Sequence, residues 1–226
     1  MSRPIPILMY HQIDVPPPRG TPLRGLVVSP RAFDWQMAML KALGLQGLSM
    51  QDLEPYLDGR KQGRVVGITF DDGYLNNLEH ALPILRKYSH TATCYAVSSL
   101  IGKTNAWDEG VVAVKPLMGL DHWLRWLEAG MDVGSHTCTH ADLQVTDDEL
   151  ALAEMTHSKR ELESMLGTDV RHFCYPYGRL DPKHVSMAKQ SGYVTATTMR
   201  RGRVHAKHDR HADRKSTRLN SSHITI

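Results

Sequence analysis

Short apolar runs alternate with amphipathic stretches along almost all of this chain, and that alternation limits the fold more than any other feature. The runs "IPILMY" (5–10), "RVVGITF" (64–70), "TATCYAV" (91–97), "MDVGSH" (131–136), 170–175 and 193–198 read as buried strands. Helical patterns lie between them. "SPRAFDWQMAMLKALG" (29–44) offers Ser29 as N-cap and Pro30 at the first helical position, and Gly44 ends it. Its residues Phe33, Met37, Leu40 and Leu43 recur at helical spacing. "TDDELALAEMTHSKRELESMLG" (146–167) is the clearest helix, with Thr146 and Glu149 as a capping box and Gly167 as its stop. Further helices are expected at 50–57, at 76–88 with a kink available at Pro83, at 119–129 and at 182–191. Such alternation predicts a parallel α/β fold, either a barrel or an open sheet.

Bulk properties narrow the function. A chain of 226 residues, 41% apolar and 23% charged, suits one domain that buries its own core. The net charge of +3 conceals an asymmetry. Residues 200–226 hold eight Lys/Arg against two acids, a charge of +6, so the first 199 residues carry −3. An acidic body argues against nucleic acid as a partner. Cys94, Cys138 and Cys174 are odd in number and form no C-x-x-C, which fits reduced thiols. The N-terminus lacks a signal-peptide pattern and no window approaches a membrane span, so a cytoplasmic location is expected as given. An incomplete N-terminus would make it extracytoplasmic. The stretch "DRKSTRLNSSHITI" is polar and aperiodic where another strand is due, as if the reading frame were lost near Asp213. A domain over 1–212 and an aberrant or disordered tail over 213–226 are therefore expected.

The chemistry sits where the runs end. "ITFDDGYLNN" (68–77) closes an apolar run with two adjacent carboxylates, whose mutual repulsion needs an offset such as a metal, a substrate or solvent. In parallel α/β folds, ligands bind at the carboxyl ends of strands. Asp71 and Asp72, the stretch "SHTCTH" (135–140), "YPYG" (175–178) and His11 all fall at such ends. His136 and His140, four apart, would share one side of a helical turn and could bind one metal ion. With one Asp they make the three-ligand set of a catalytic zinc site. Alternation along a strand would let one aspartate face the metal and its neighbour the reacting water. The competing readings are two loop histidines and an acidic turn, since "DDG" is common in turns. A phosphoryl-transfer site of the dehalogenase type would place its acids two apart, whereas these are adjacent.

"TFDDG", "SHTCTH" and "YPYG", in this order, resemble the motifs of the polysaccharide deacetylase family, carbohydrate esterase family four. The opening "IPILMYH", followed by "SPRAFDWQM", is similar to its poly-N-acetylglucosamine deacetylase branch. The resemblance covers roughly 1–211. It implies a deformed (β/α) barrel of about seven parallel strands. It implies Asp72, His136 and His140 as ligands of a divalent metal, Zn2+ first, with Co2+, Ni2+ or Mn2+ as substitutes. Asp71 would be the general base, and the Tyr177 N–H would bind the oxyanion. The family's L-x-x-H histidine is found here only early, as Leu8–His11. The motif order in this branch looks circularly permuted, which implies His11 as general acid.

The implied reaction is removal of N-acetyl groups from the N-acetylhexosamine units of a glycan. An amide hydrolase on a non-glycan substrate and a catalytically impaired glycan-binding domain are the rivals. The chain departs from the family at His172, where an arginine is usual, with Arg171 beside it. That leaves open which residue tethers the base. Trp107, Trp123 and Trp126 are candidates for a sugar subsite, the last two equally for core. His205, His208 and His211 read as a solvated basic tail, and Cys138 as a packing residue.

Overall fold

All six apolar runs lie in one parallel sheet, and their strands are buried along their whole length, as expected of a sheet covered on both faces. The structure is a computed structural model that describes residues 4–198, 209–214 and 216–217. In chain order the strands are β1 (Ile7–Tyr10), β2 (Gln12–Ile13), β3 (Val27–Val28), β4 (Gln46–Leu48), β5 (Val65–Phe70), β6 (Thr93–Ala96), β7 (Asp132–Ser135), β8 (His172–Cys174), β9 (Thr195–Thr198), β10 (Asp213–Arg214) and β11 (Ser216–Thr217). The α-helices are α1 (Pro30–Ala42), α2 (Met50–Leu57), α3 (Leu82–Lys87), α4 (Leu120–Glu128), α5 (Asp148–Leu166) and α6 (Pro182–Gln190).

The main sheet runs β10-β9-β8-β7-β6-β5-β1-β11, with β4 also beside β5, and every pairing is parallel. Strands that follow one another in sequence lie side by side from β5 to β9, the winding of a (β/α) barrel. The two ends of the sheet are adjacent in the chain. Residues 213–214 pair with β9 and 216–217 pair with β1. Part of the stretch expected to be a tail thus occupies the place of the missing strand and brings the sheet's two edges together. His211 differs from expectation too. Its Nε2 lies 2.8 Å from the Tyr193 carbonyl, and the Tyr175 hydroxyl donates to the His211 carbonyl at 2.8 Å. His205 and His208 lie outside the described residues.

The helices follow their sequence signals with two corrections. Ser29 caps α1, its Oγ accepting from the Ala32 N–H at 3.2 Å, and Phe33, Met37 and Leu40 face the core. The cap of α5 is Asp147 rather than Thr146. The Asp147 carboxylate accepts from the Glu149 N–H, while the Thr146 hydroxyl donates to the Asp142 carbonyl. The stretch expected as one kinked helix at 76–88 is instead a π turn (Asn77–Ala81) leading into α3. Pro83 has no N–H for an i→i−4 bond, and the wider turn precedes it. Trp123 and Trp126 are buried in the main core, and the Trp126 indole donates to the Asp132 carbonyl, so both are packing residues. A second cluster joins Ile7, Val65, Tyr95 and Cys174 to Met50, Leu53 and Leu57 of α2. Among the described residues no helix is long and apolar enough to cross a membrane.

Candidate active site

Three side chains from two strand ends converge at one point. Asp72 follows β5, and His136 and His140 follow β7. The Asp72 Oδ1 lies 3.3 Å from both the His136 Nε2 and the His140 Nε2, and all three residues are buried. The His136 Nδ1 is 2.7 Å from the Cys174 carbonyl at the end of β8. A carbonyl can only accept, so Nδ1 carries a proton and Nε2 is the nitrogen that faces Asp72. The Asp72 Oδ1 makes no hydrogen bond. A buried anionic oxygen facing imidazole nitrogens needs positive charge between them.

The titration of the cluster points the same way. Burial alone would push the Asp72 carboxyl up, yet His136 and His140 hold it well below the usual carboxylate range. Burial would also lower His136, but the Cys174 and Asp72 groups push it well above the ordinary imidazole value. The donor set, one carboxylate and two imidazoles with atoms all within 4.8 Å, fits a divalent cation of the zinc type.

The local backbone differs from what spacing suggested. His136 and His140 do not share a helical turn. They sit on a bent loop in which Thr137 has φ 68° and His140 φ 64°. Nor does strand alternation separate the two aspartates, because β5 ends at Phe70 and Asp72 lies in the left-handed region at φ 75°. Tyr177 shares that conformation at φ 58°. Four of the six described non-glycine residues with positive φ thus lie at this site or between its ligands, each at a cost of about 1–3 kcal/mol.

Around the cluster, Asp71 is buried and its Oδ2 lies 3.9 Å from the His11 Nε2. The Asn77 amide donates to the His11 carbonyl at 2.8 Å and ties the end of β1 to the π turn. The His140 ring is stacked on Trp107 at 4.3 Å and met edge-on by Tyr177 at 4.7 Å. Trp107 therefore belongs to the site, unlike the other two candidate tryptophans. Asp108, beside it, is raised from the usual carboxylate value by its burial and by the charge of Asp72. The structure thus brings together all six residues singled out from sequence. Sequence reading missed the Cys174 carbonyl, since a main-chain acceptor leaves no residue-type signal.

His172 and Arg171 are engaged elsewhere. His172 lies 2.9 Å from the Thr195 hydroxyl and 3.5 Å from Glu54, and Arg171 makes a two-pronged ion pair with Glu54.

Comparison with known proteins agrees with this geometry. A family model described as polysaccharide deacetylase matches residues 58–196. The chain belongs to the polysaccharide deacetylase family. YxkH of Bacillus subtilis, assigned to the polysaccharide deacetylases, is 29% identical over 200 residues, spanning 88% of this chain and 65% of that protein. The poly-β-1,6-N-acetyl-D-glucosamine N-deacetylase of Staphylococcus epidermidis is 24% identical over 186 residues, spanning 78% of this chain and 63% of that protein. The chain thus spans a little under two thirds of the length of these curated relatives. The solved structure of the Streptococcus pyogenes deacetylase PplD, in complex with acetate, superposes with a TM-score of 0.85 at 28% identity. That superposition covers 97% of this chain and 94% of PplD. Like these neighbours, the chain has the deformed barrel of parallel strands.

Proposed function

We propose that this protein is a metal-dependent N-deacetylase acting on N-acetylhexosamine units of a glycan. The observation that carries the reading is the convergence of Asp72, His136 and His140, with the Asp71 and His11 side chains 3.9 Å apart beside it. Asp72, His136 and His140 hold the cation, with Zn2+ the first choice. When bound, a divalent cation polarises an amide carbonyl and lowers the pKa of a coordinated water toward about 7.

The chain's own groups do the rest. Asp71 accepts the proton of the attacking water. The Tyr177 N–H donates to the carbonyl oxygen as it gains negative charge, and the contact of its ring with His140 keeps this backbone beside the cluster. His11, protonated, delivers a proton to the departing sugar amine, which is otherwise a poor leaving group. The stack of Trp107 on His140 offers an apolar wall for the acetyl methyl or the sugar face.

Acetate release from N-acetylglucosamine oligomers with added Zn2+ tests the reading. Wild type should release acetate, Asp71→Asn should lower kcat/KM by at least about a hundredfold, the scale of one lost acid–base group, and His136→Ala, which removes a ligand, should abolish the Zn2+-dependent release. A folded, metal-loaded wild type that releases none would remove these oligomers as substrates.

A further inference from the structure

The loop joining His136 to His140 is bent and strained, so its shape must be imposed from outside. Its backbone groups are held on two sides. The Ser98 and Ser99 N–H groups, just after β6, donate to the Thr137 and Cys138 carbonyls at 3.1 and 3.0 Å. From the other side, Glu154 of α5 grips the loop with both oxygens. Its Oε2 accepts from the Cys138 N–H at 2.8 Å and the Thr139 N–H at 3.0 Å, and its Oε1 accepts from the Thr139 hydroxyl at 2.8 Å. A carboxylate suits this task, because two converging N–H groups need an acceptor with several lone pairs, and charge strengthens each bond.

The same helix face braces the neighbours of the loop. Ser158, four residues on, lies 2.7 Å from the Ser135 hydroxyl at the end of β7. Glu161 accepts from the Ser98 hydroxyl at 2.5 Å, and Ser98 is the residue that holds Thr137. Residues 154, 158 and 161 fall on one stripe of an α-helix. That stripe faces the ligand-bearing strand end and its loop.

We infer that Glu154 is the positioning residue of the cation-binding pair. It acts through the Cys138–Thr139 backbone, and its grip sets the separation and orientation of the His136 and His140 rings. The inference rests on the cation reading of the Asp72 cluster and extends it to a residue that touches neither metal nor substrate.

The test is Zn2+ affinity, measured by competition with a chromophoric chelator, alongside the visible spectrum of the Co2+-loaded protein and the melting temperature of the metal-free protein. Outer partners of metal ligands typically change affinity by about 10–100-fold, and Glu154→Leu should weaken Zn2+ binding by at least about tenfold. Leucine keeps the bulk of the side chain and leaves the Cys138 and Thr139 N–H groups and the Thr139 hydroxyl without this acceptor. Thr139→Val removes only the hydroxyl bond, leaves α5 untouched, and should give a smaller loss. Glu163→Gln is the control. Glu163, on the same helix, anchors Lys159 and, beyond the helix end, the Val170 N–H, without touching the loop. It should leave affinity and spectrum as in wild type even if the protein melts lower. Wild-type affinity and an unchanged Co2+ spectrum in both Glu154→Leu and Thr139→Val would overturn the inference, whatever their melting temperatures. A wild type that binds Zn2+ but releases no acetate from these oligomers would remove them as substrates and leave this comparison standing. A wild type that binds no cation would overturn both the cation reading and the inference.

Discussion

Two buried residues away from the Asp72, His136 and His140 cluster carry a pH dependence that can be worked out in sign. Asp132 opens β7 and His172 opens β8, with the His172 Nε2 3.9 Å from the Asp132 Oδ2. Burial pushes the Asp132 carboxyl up to about 7 against the help of the Thr93 hydroxyl. Burial, with Arg171 and Lys159 adding to it, pushes His172 down to about 3. Between about 4 and 7 the native state holds a proton on Asp132 that the unfolded chain has lost, so this group destabilises the fold as pH rises. Between about 3 and 6.5 the unfolded chain holds a proton on His172 that the native state lacks, so this group stabilises the fold as pH rises. The two slopes oppose each other from about 4 to 6.5. Asp132→Asn should therefore gain stability with rising pH relative to wild type, and His172→Gln should lose it, in urea titrations across this window. Curves for all three that stay parallel would refute the pairing. Neither residue type signals this in sequence. His172 stood out only as a departure from a family motif, and its partners come from β7, β9 and α2.

At the scale of elements, the turn after β5 shows why one glycine is needed. Gly73 has φ 75°, and a Cβ there would lie 2.8 Å from the Trp123 ring, which α4 buries in the core. Gly73→Ala must bear a left-handed alanine and displace a packed indole. A loss of about 2–4 kcal/mol in chemical denaturation is expected, with weakened Zn2+ binding because Asp72 precedes it. A loss well under about 1 kcal/mol would mean that the turn relaxes freely. Helices were legible wherever the signal was local. Ser29 and Pro30 start α1 and Gly167 ends α5 as their residue types require. The cap of α5 was misplaced by one residue because Thr146 and Asp147 are both good caps, and the Thr146 hydroxyl found the Asp142 carbonyl instead. The short strands β2, β3 and β4 escaped the pattern because two or three residues do not make a period.

At the scale of the whole molecule, closure of the sheet depends on the segment after residue 208. Lys189 pairs with Asp209 at 2.7 Å, Arg210 pairs with Asp58 at the end of α2, and residues 213–217 reach both β9 and β1. A chain ending at 212 leaves two strand edges unpaired, so it should melt several degrees below one ending at 217. Equal melting temperatures would return 213–217 to the status of a tail. This closure could not be read from "DRKST", since edge pairing is made by backbone groups that any residue supplies. The sequence carried the parallel α/β class, most helix starts and stops, and, through its motifs, the six candidate residues that the fold gathers at one place. These depend on periodicity, caps and residue chemistry, which are local. Only the tertiary structure decided that Trp107 joins the site while Trp123 and Trp126 pack the core, that the Cys174 carbonyl orients His136, and that Glu154 grips the ligand loop. Those contacts join residues from 16 to 38 positions apart through backbone acceptors and strained turns, and neither leaves a mark on residue type.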